Sequence, residues 1–144
     1  MMKKRVLFVC LYNSARSQMA EAFLNVLAPD RFVAESAGIE PGTLNPTVVE
    51  AMRGIGIDIS KNKAKSVQRF LEEGRRYDYI ITVCDEASAE RCPVFPGRGK
   101  RVHMGFADPL AFRGSKEERL EQTVAVRDQI KARIERWIKE VTGY

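Results

Sequence analysis

A chain of 144 residues, 44% hydrophobic and 30% charged, can bury a core of its own as one domain and is too mixed in character to be disordered, collagenous or membrane-spanning. The formal net charge of +5 suits an anionic partner without naming one, and no zinc-finger spacing or aromatic RNA-binding signature points to nucleic acid. The three cysteines, Cys10, Cys84 and Cys92, are an odd number, and the opening MMKKRVLFVC holds too short an apolar run for an export signal. No disulfide framework is therefore expected, and the cytoplasm is the expected compartment.

Strand and helix signals alternate along the chain. RVLFVC (5–10) is a continuous apolar run, as a buried parallel strand requires. Over 15–27 the residues Met19, Ala20, Ala22, Phe23, Val26 and Leu27 share a helical face, and Pro29 follows its end. FVAESAG (32–38) predicts a second strand. Asn45-Pro46 supplies a capping side chain and a first-turn proline for a helix faced by Val48, Val49 and Met52. Residues 58–66 read as a polar loop and about 66–73 as a short helix. DYIITVC (78–84) is another buried-strand run. Pro93, Pro96, Gly97 and Gly99 mark 85–100 as a long irregular connection, and RVHM (101–104) is a candidate last strand. Ser115 and Glu118 form a capping-box pattern before a long helix, with Leu120, Val124, Arg127, Ile130, Ile134, Trp137 and Val141 on one face.

This alternation predicts an α/β fold, a parallel sheet with helices on both faces. Ligands of such folds sit beyond the carboxyl ends of the strands, where Cys10 and Cys84 both fall. The stretch CLYNSARS (10–17) joins the first strand to the first helix. A loop placed there aims backbone N–H groups at one centre beside the positive end of a helix dipole. Leu11, Tyr12, Asn13, Ser14, Ala15, Arg16 and Ser17 are thus candidate oxyanion-binding residues. Arg16 can grip two oxygens of a tetrahedral oxyanion, and the same surroundings favour the Cys10 thiolate, to which Ser17 can donate. A Cys with Arg six places on is not specific alone: Cys92 and Arg98 repeat it, with prolines between and no helix after. A buried strand-end thiol beside a solvated arginine is the plain alternative. Asp108 can protonate a leaving group as general acid, although Asp-Pro pairs are also common turn starters. Three cysteines and the single His103 lack zinc spacing, so no metal is expected.

The chain resembles the low-molecular-weight protein tyrosine phosphatases and the thioredoxin-coupled arsenate reductases that share their fold. The resemblance rests on CLYNSARSQMAEAF (10–23), ESAGIEPGTLNP (35–46), GIDIS (56–60), ITVCDEA (81–87) and Asp108-Pro109. It implies a single three-layer α/β/α domain over residues 1–144 with a four-stranded parallel sheet. It implies Cys10 as nucleophile, Arg16 as oxyanion clamp, Asn13 and Ser17 as loop organisers, and Asp108 as general acid. On the reductase side it implies that Cys84 attacks the first sulfur and Cys92 takes over the disulfide. Arsenate or phosphate would then be the ligand, thioredoxin or another thiol donor the electron source, and no cofactor would be bound. On the phosphatase side the partner is a phosphotyrosine protein. The expected state is a monomer without nucleic acid or membrane. A non-catalytic oxyanion-binding or redox-sensing module is the alternative of a different class.

Several positions depart from the family pattern. Seven residues (85–91) separate Cys84 from Cys92, one more than expected of the reductases. Tyr12 stands where Gly is frequent, and Ala15 where a cysteine is frequent. Leu110-Ala111 replace aromatic residues that flank the substrate ring in tyrosine phosphatases. The potassium-binding members use a carboxylate near position 65 together with residues matching Asn13, Glu21 and Ser36. Here position 65 is Lys, whose ammonium is expected to replace the cation.

Overall fold

The computed structural model describes residues 3–143. Four strands, β1 (Lys4–Cys10), β2 (Phe32–Gly38), β3 (Tyr79–Thr82) and β4 (Lys100–His103), form one all-parallel sheet in the order β2-β1-β3-β4. The helices are α1 (Arg16–Leu27), α2 (Pro46–Arg53), α3 (Val67–Glu72), α4 (Glu86–Glu90) and α5 (Lys116–Thr142). Alternate residues of β1 serve opposite faces of the sheet, as the pleat requires. Val6, Phe8 and Cys10 pack with Phe23 of α1, Met52 of α2 and Ile130 of α5. Leu7 and Val9 pack with Val67 and Phe70 of α3, and with Cys92 and Phe95. The result is the three-layer α/β/α architecture with both sheet faces covered.

Local chemistry sets the element ends. Asn45 caps α2 through its side chain, Ser66 caps α3, and Ser115 with Glu118 closes a capping box on α5. Trp137 of α5 fills the far end of the core, with its ring 5.2 Å from Phe32 and 5.0 Å from Tyr79, the latter edge-on.

Three expectations need correction. Residues 86–90 form a short helix inside the segment expected to be irregular: the Asp85 carboxylate accepts from Ser88 N at 2.7 Å. Five residues are too few for a periodic signal, so only the cap could have announced it. On α1, Leu24 lies in the core and Val26 is 58% exposed. On α5 the buried stripe runs Thr123, Val126, Ile130, Ile134 and Trp137, while Val124 is only half-buried and Val141 is exposed. Thr123 fits this stripe because its hydroxyl donates to Arg119 O at 2.8 Å. Arg127 is held instead by Ala51 O, which accepts from its guanidinium at 2.8 Å and ties α5 to the end of α2.

The carboxyl end of β2 meets the loop after β1 with no spare room. A Cβ on Gly38 would stand 2.7 Å from the Tyr12 carbonyl carbon and 2.8 Å from Asn13 N, both backbone atoms. Gly38→Ala should cost about 1–3 kcal/mol in urea unfolding. A stability within error of wild type would show that the strand end can yield.

Candidate active site

The loop between β1 and α1 closes into a ring because its carbonyls are drawn outward. Cys10 O, Leu11 O and Tyr12 O accept from the N–H groups of Ile39, Glu40 and Gly42 at 3.1, 2.7 and 2.9 Å. Ser14 O accepts from Asn45 N at 2.9 Å, and Ala15 O from Met19 N at 3.0 Å. Asn13 O accepts from Gln18 Nε2 at 3.1 Å. A trans peptide points its C=O and the following N–H in opposite directions. The N–H groups of residues 11–16 therefore face the inside of the ring. There, Asn13 N donates to Cys10 Sγ at 3.1 Å, and Ser17 Oγ lies 2.9 Å from the same sulfur.

Asn13 organises this ring. It adopts φ 53°, a left-handed conformation that Asn tolerates better than most residues. Its Nδ2 donates to Ser17 Oγ at 2.7 Å and Ser36 Oγ at 3.0 Å. Its Oδ1 accepts from Gln18 Nε2 at 3.1 Å and Lys65 N at 2.9 Å. Tyr12 needs no such conformation, for Asn13 is the only non-glycine residue with positive φ among the described residues. Its ring lies against Gly42, so an aromatic residue fits where the family often has Gly.

Arg16 opens α1 at 4% exposure. Its guanidinium donates to Phe106 O at 3.2 Å and stands 3.5 Å from Asp108 Oδ2. Asp108 also accepts from Leu110 N through Oδ1 at 3.0 Å. One Asp108 oxygen thus serves the turn and the other faces Arg16.

Cys84 follows β3 and is fully buried. Burial pushes its thiol up to about 11; the nearby Arg16 charge pulls against this, and Cys10 adds to it. Cys10, Arg16 and Cys84 therefore meet at one sheet edge, as expected from the strand ends. Cys92 does not join them: it is buried against the opposite face of the sheet with Leu7, Val9 and Phe95. All three thiols are free. His103 lies on β4 with Nδ1 2.7 Å from Thr82 Oγ1, a structural contact.

Behind the ring, Ser36 Oγ donates to Glu21 Oε1 at 2.9 Å, and Lys65 Nζ stands 3.6 Å from the same oxygen. Burial pushes the Glu21 carboxyl up, opposed by the Lys65 charge. Sequence reasoning missed Gln18, a fully buried polar side chain whose Nε2 also reaches Lys63 O at 3.1 Å. The available signal was a glutamine between Ser17 and the apolar Met19-Ala20 pair, too weak to assign a partner 45 residues away. The role of the strap 39–45 is not legible in its residues, because backbone donors leave no mark in the residue types.

Two outcomes follow from these charges. A thiol raised in the folded state contributes stability that is complete below its unfolded value, about 8.5, and is lost as pH rises through about 11. Thermal unfolding should show wild type losing more stability than Cys84→Ala between pH 9 and 11, and parallel curves would refute the assignment. Lys65 brings its own positive charge to Glu21, so added potassium should leave the melting temperature unchanged, whereas a clear stabilisation by potassium over sodium would count against it.

The family model for low molecular weight phosphotyrosine protein phosphatases matches residues 5–143. An arsenate reductase of Shouchella clausii (strain KSM-K16) is 42% identical over 137 residues, which are 95% of this chain and 96% of that protein. A solved arsenate reductase in its reduced state overlays with a TM-score of 0.73 at 31% identity, covering 98% of this chain and 100% of the other. The low-molecular-weight protein tyrosine phosphatase of T. tengcongensis overlays with a TM-score of 0.78 at 24% identity, covering 96% and 99%, a likeness of fold alone. The ring around Cys10, the buried Arg16 and the parallel sheet that carries them thus belong to a member of the low-molecular-weight phosphotyrosine protein phosphatase family.

Proposed function

We propose that this chain reduces arsenate to arsenite, acting as one domain in the cytoplasm with thioredoxin or another thiol donor as its external reductant. The observation that carries this reading is the second thiol, Cys84, at the same sheet edge as Cys10 and under the same Arg16 charge. The hydrolysis of a phosphate ester needs one thiol in its bond-making steps, whereas reduction of arsenate needs a second. The similarity to arsenate reductases over nearly the whole chain supports the same reading.

The chemistry follows from the geometry. Arsenate enters the ring, and the N–H groups of residues 11–16 and the Arg16 guanidinium bind its oxygens. The Cys10 thiolate attacks arsenic, and one arsenic oxygen leaves as water with a proton from Asp108. Cys84, as thiolate, then attacks Cys10 Sγ. The S–S bond forms, the As–S bond breaks, and its electron pair stays on arsenic, which leaves as arsenite. Cys92 next attacks Cys84, releasing the Cys10 thiolate and leaving a Cys84–Cys92 disulfide for the external dithiol.

A phosphatase would use the same cradle, with Cys10 taking up phosphate and Asp108 protonating a phenolate. For that chemistry Asp108 stands 3.5 Å from Arg16, a placement within reach of a leaving group in the cradle. Leu110 and Ala111 oppose it, since they offer no aromatic wall to a phosphotyrosine ring. The deciding assay is arsenate-dependent NADPH oxidation with thioredoxin and thioredoxin reductase.

Cys84→Ser and Cys92→Ser should each abolish that turnover and spare slow aryl phosphate hydrolysis, and Cys10→Ser should abolish both while still binding oxyanion. Asp108→Asn should slow hydrolysis by about 10²- to 10⁴-fold and reduction by less. Normal arsenate turnover in both cysteine variants would sink the relay. Wild type that hydrolyses aryl phosphate without touching arsenate would make it a phosphatase, and failure in both would leave an oxyanion-binding module.

A further inference from the structure

The reductase reading leaves one step without a helper: Cys92 must become a nucleophile while buried on the far side of the sheet. We propose that Arg101, on edge strand β4, is the positioning residue for that step, anchoring the last turn of α4 and supplying the positive charge beside which Cys92 reacts. The inference rests on the reductase reading and extends it to a residue outside the cradle.

Arg101 spans the end of α4. Its Nη1 donates to Cys92 O at 3.3 Å and its Nη2 to Ala89 O at 3.3 Å. The last carbonyls of a helix lack internal partners and favour a cation. A five-residue helix cannot stand by its own hydrogen bonds, so such anchors decide whether it persists. At its other end α4 is capped by Asp85, and Arg91 is tied to Glu40 of the 39–45 strap at 2.5 Å.

The surroundings of Cys92 give Arg101 its second role. Cys92 belongs to one buried cluster with Leu7, Val9, Ala37, Val67, Phe70 and Phe95, and its thiol donates to Pro93 O at 3.6 Å. None of these carries charge. Tyr77 is the titratable neighbour from the same cluster, and its phenol is pushed up to about 12, so it stays neutral. Glu90 is exposed, and Arg91 is occupied by Glu40. Burial pushes the Cys92 thiol up, and the Arg101 charge is what pulls against it. In the step itself Cys92 gives its proton to solvent and its thiolate attacks Cys84 Sγ. The Cys84–Cys92 bond forms, the Cys10–Cys84 bond breaks, and Cys10 leaves as thiolate with no net oxidation.

The two roles have opposite signs. Losing the charge slows transfer at neutral pH, where thiolate is scarce. Losing the anchor frees α4 and speeds transfer at high pH, where thiolate is plentiful. A crossing of the two pH profiles is something that a purely structural arginine would not produce.

The test mixes reduced protein with arsenate and no reductant, quenches with acid, and maps disulfides by mass spectrometry between pH 6 and 10. Arg101→Gln should shift the midpoint for Cys84–Cys92 formation upward and slow it about threefold or more at pH 7, with Cys10–Cys84 accumulating and aryl phosphate hydrolysis unchanged. Arg101→Lys should restore the midpoint, because it keeps the charge without the planar fork. An unmoved midpoint in Arg101→Gln would overturn the proposal. A second arm reads the charge directly: in a Cys10→Ser, Cys84→Ser background, thiolate absorbance should titrate Cys92 at higher pH once Arg101 is Gln, and equal titrations would also overturn it. Wild type that forms no Cys84–Cys92 disulfide would refute the relay, and with it the transfer role of Arg101, even where the titrations differ.

Discussion

Six carbonyl groups decide what this molecule can bind. Those of residues 10–15 all face outward, four of them onto the 39–45 strap and two onto the start of α1. Their opposite N–H groups must then converge around the Cys10 sulfur, which Asn13 N already reaches, and such a ring of donors suits an anion. The arrangement requires one residue in a left-handed conformation, Asn13, at a cost of order 1–2 kcal/mol. Four side-chain hydrogen bonds, to Ser17, Ser36, Gln18 and Lys65, hold it there. The strain sits next to Cys10, where a fixed backbone has most value.

The sheet itself divides the thiols. Cys10 and Cys84 pack on the side of α1 and α5, and Cys92 on the side of α3. A disulfide needs Cα atoms about 4.4–6.8 Å apart, so Cys84 and Cys92 cannot bond across the sheet plane without moving the segment between them. That segment is α4, short and fastened by side chains at its rim: Asp85, the Arg91–Glu40 pair and Arg101. Exposed ion pairs and end caps contribute of order 1 kcal/mol each, small enough to break and remake during a reaction. The seven residues between the cysteines lie outside the sheet, so their length leaves it untouched.

Much of this was legible in the sequence because burial on both faces writes continuous apolar runs. RVLFVC and DYIITVC gave the two central strands, although β3 stops at Thr82, two residues short of Cys84. Arg16 and Cys10 were readable because strand, loop and helix surround them, and Cys92 with Arg98 showed what the same spacing means without that frame. Helix faces were read less well. On α1 the buried residue is Leu24 in place of Val26, and on α5 a shift of one position moved the first part of the stripe onto Thr123 and Val126, since a threonine that bonds its own helix carries no apolar signal. Gln18, the strap and Arg101 were invisible for a common reason. Each acts through backbone atoms of a distant segment, and residue type says nothing of where a carbonyl points.

What separates reduction from hydrolysis in this fold lies outside the ring. Both reactions ask the ring for the same things: donors for oxygens, a sulfur at the centre and an acid above it. Ala15 removes a loop thiol that could pair with Cys10, leaving Cys84 as the thiol that senses both Cys10 and Arg16. Leu110, two residues after Asp108, is 48% exposed and offers no aromatic face. A small tetrahedral oxyanion needs no wall, because the ring and Arg16 enclose it. The presence of a second thiol at the same edge favours a substrate that ends the reaction by taking an electron pair from sulfur.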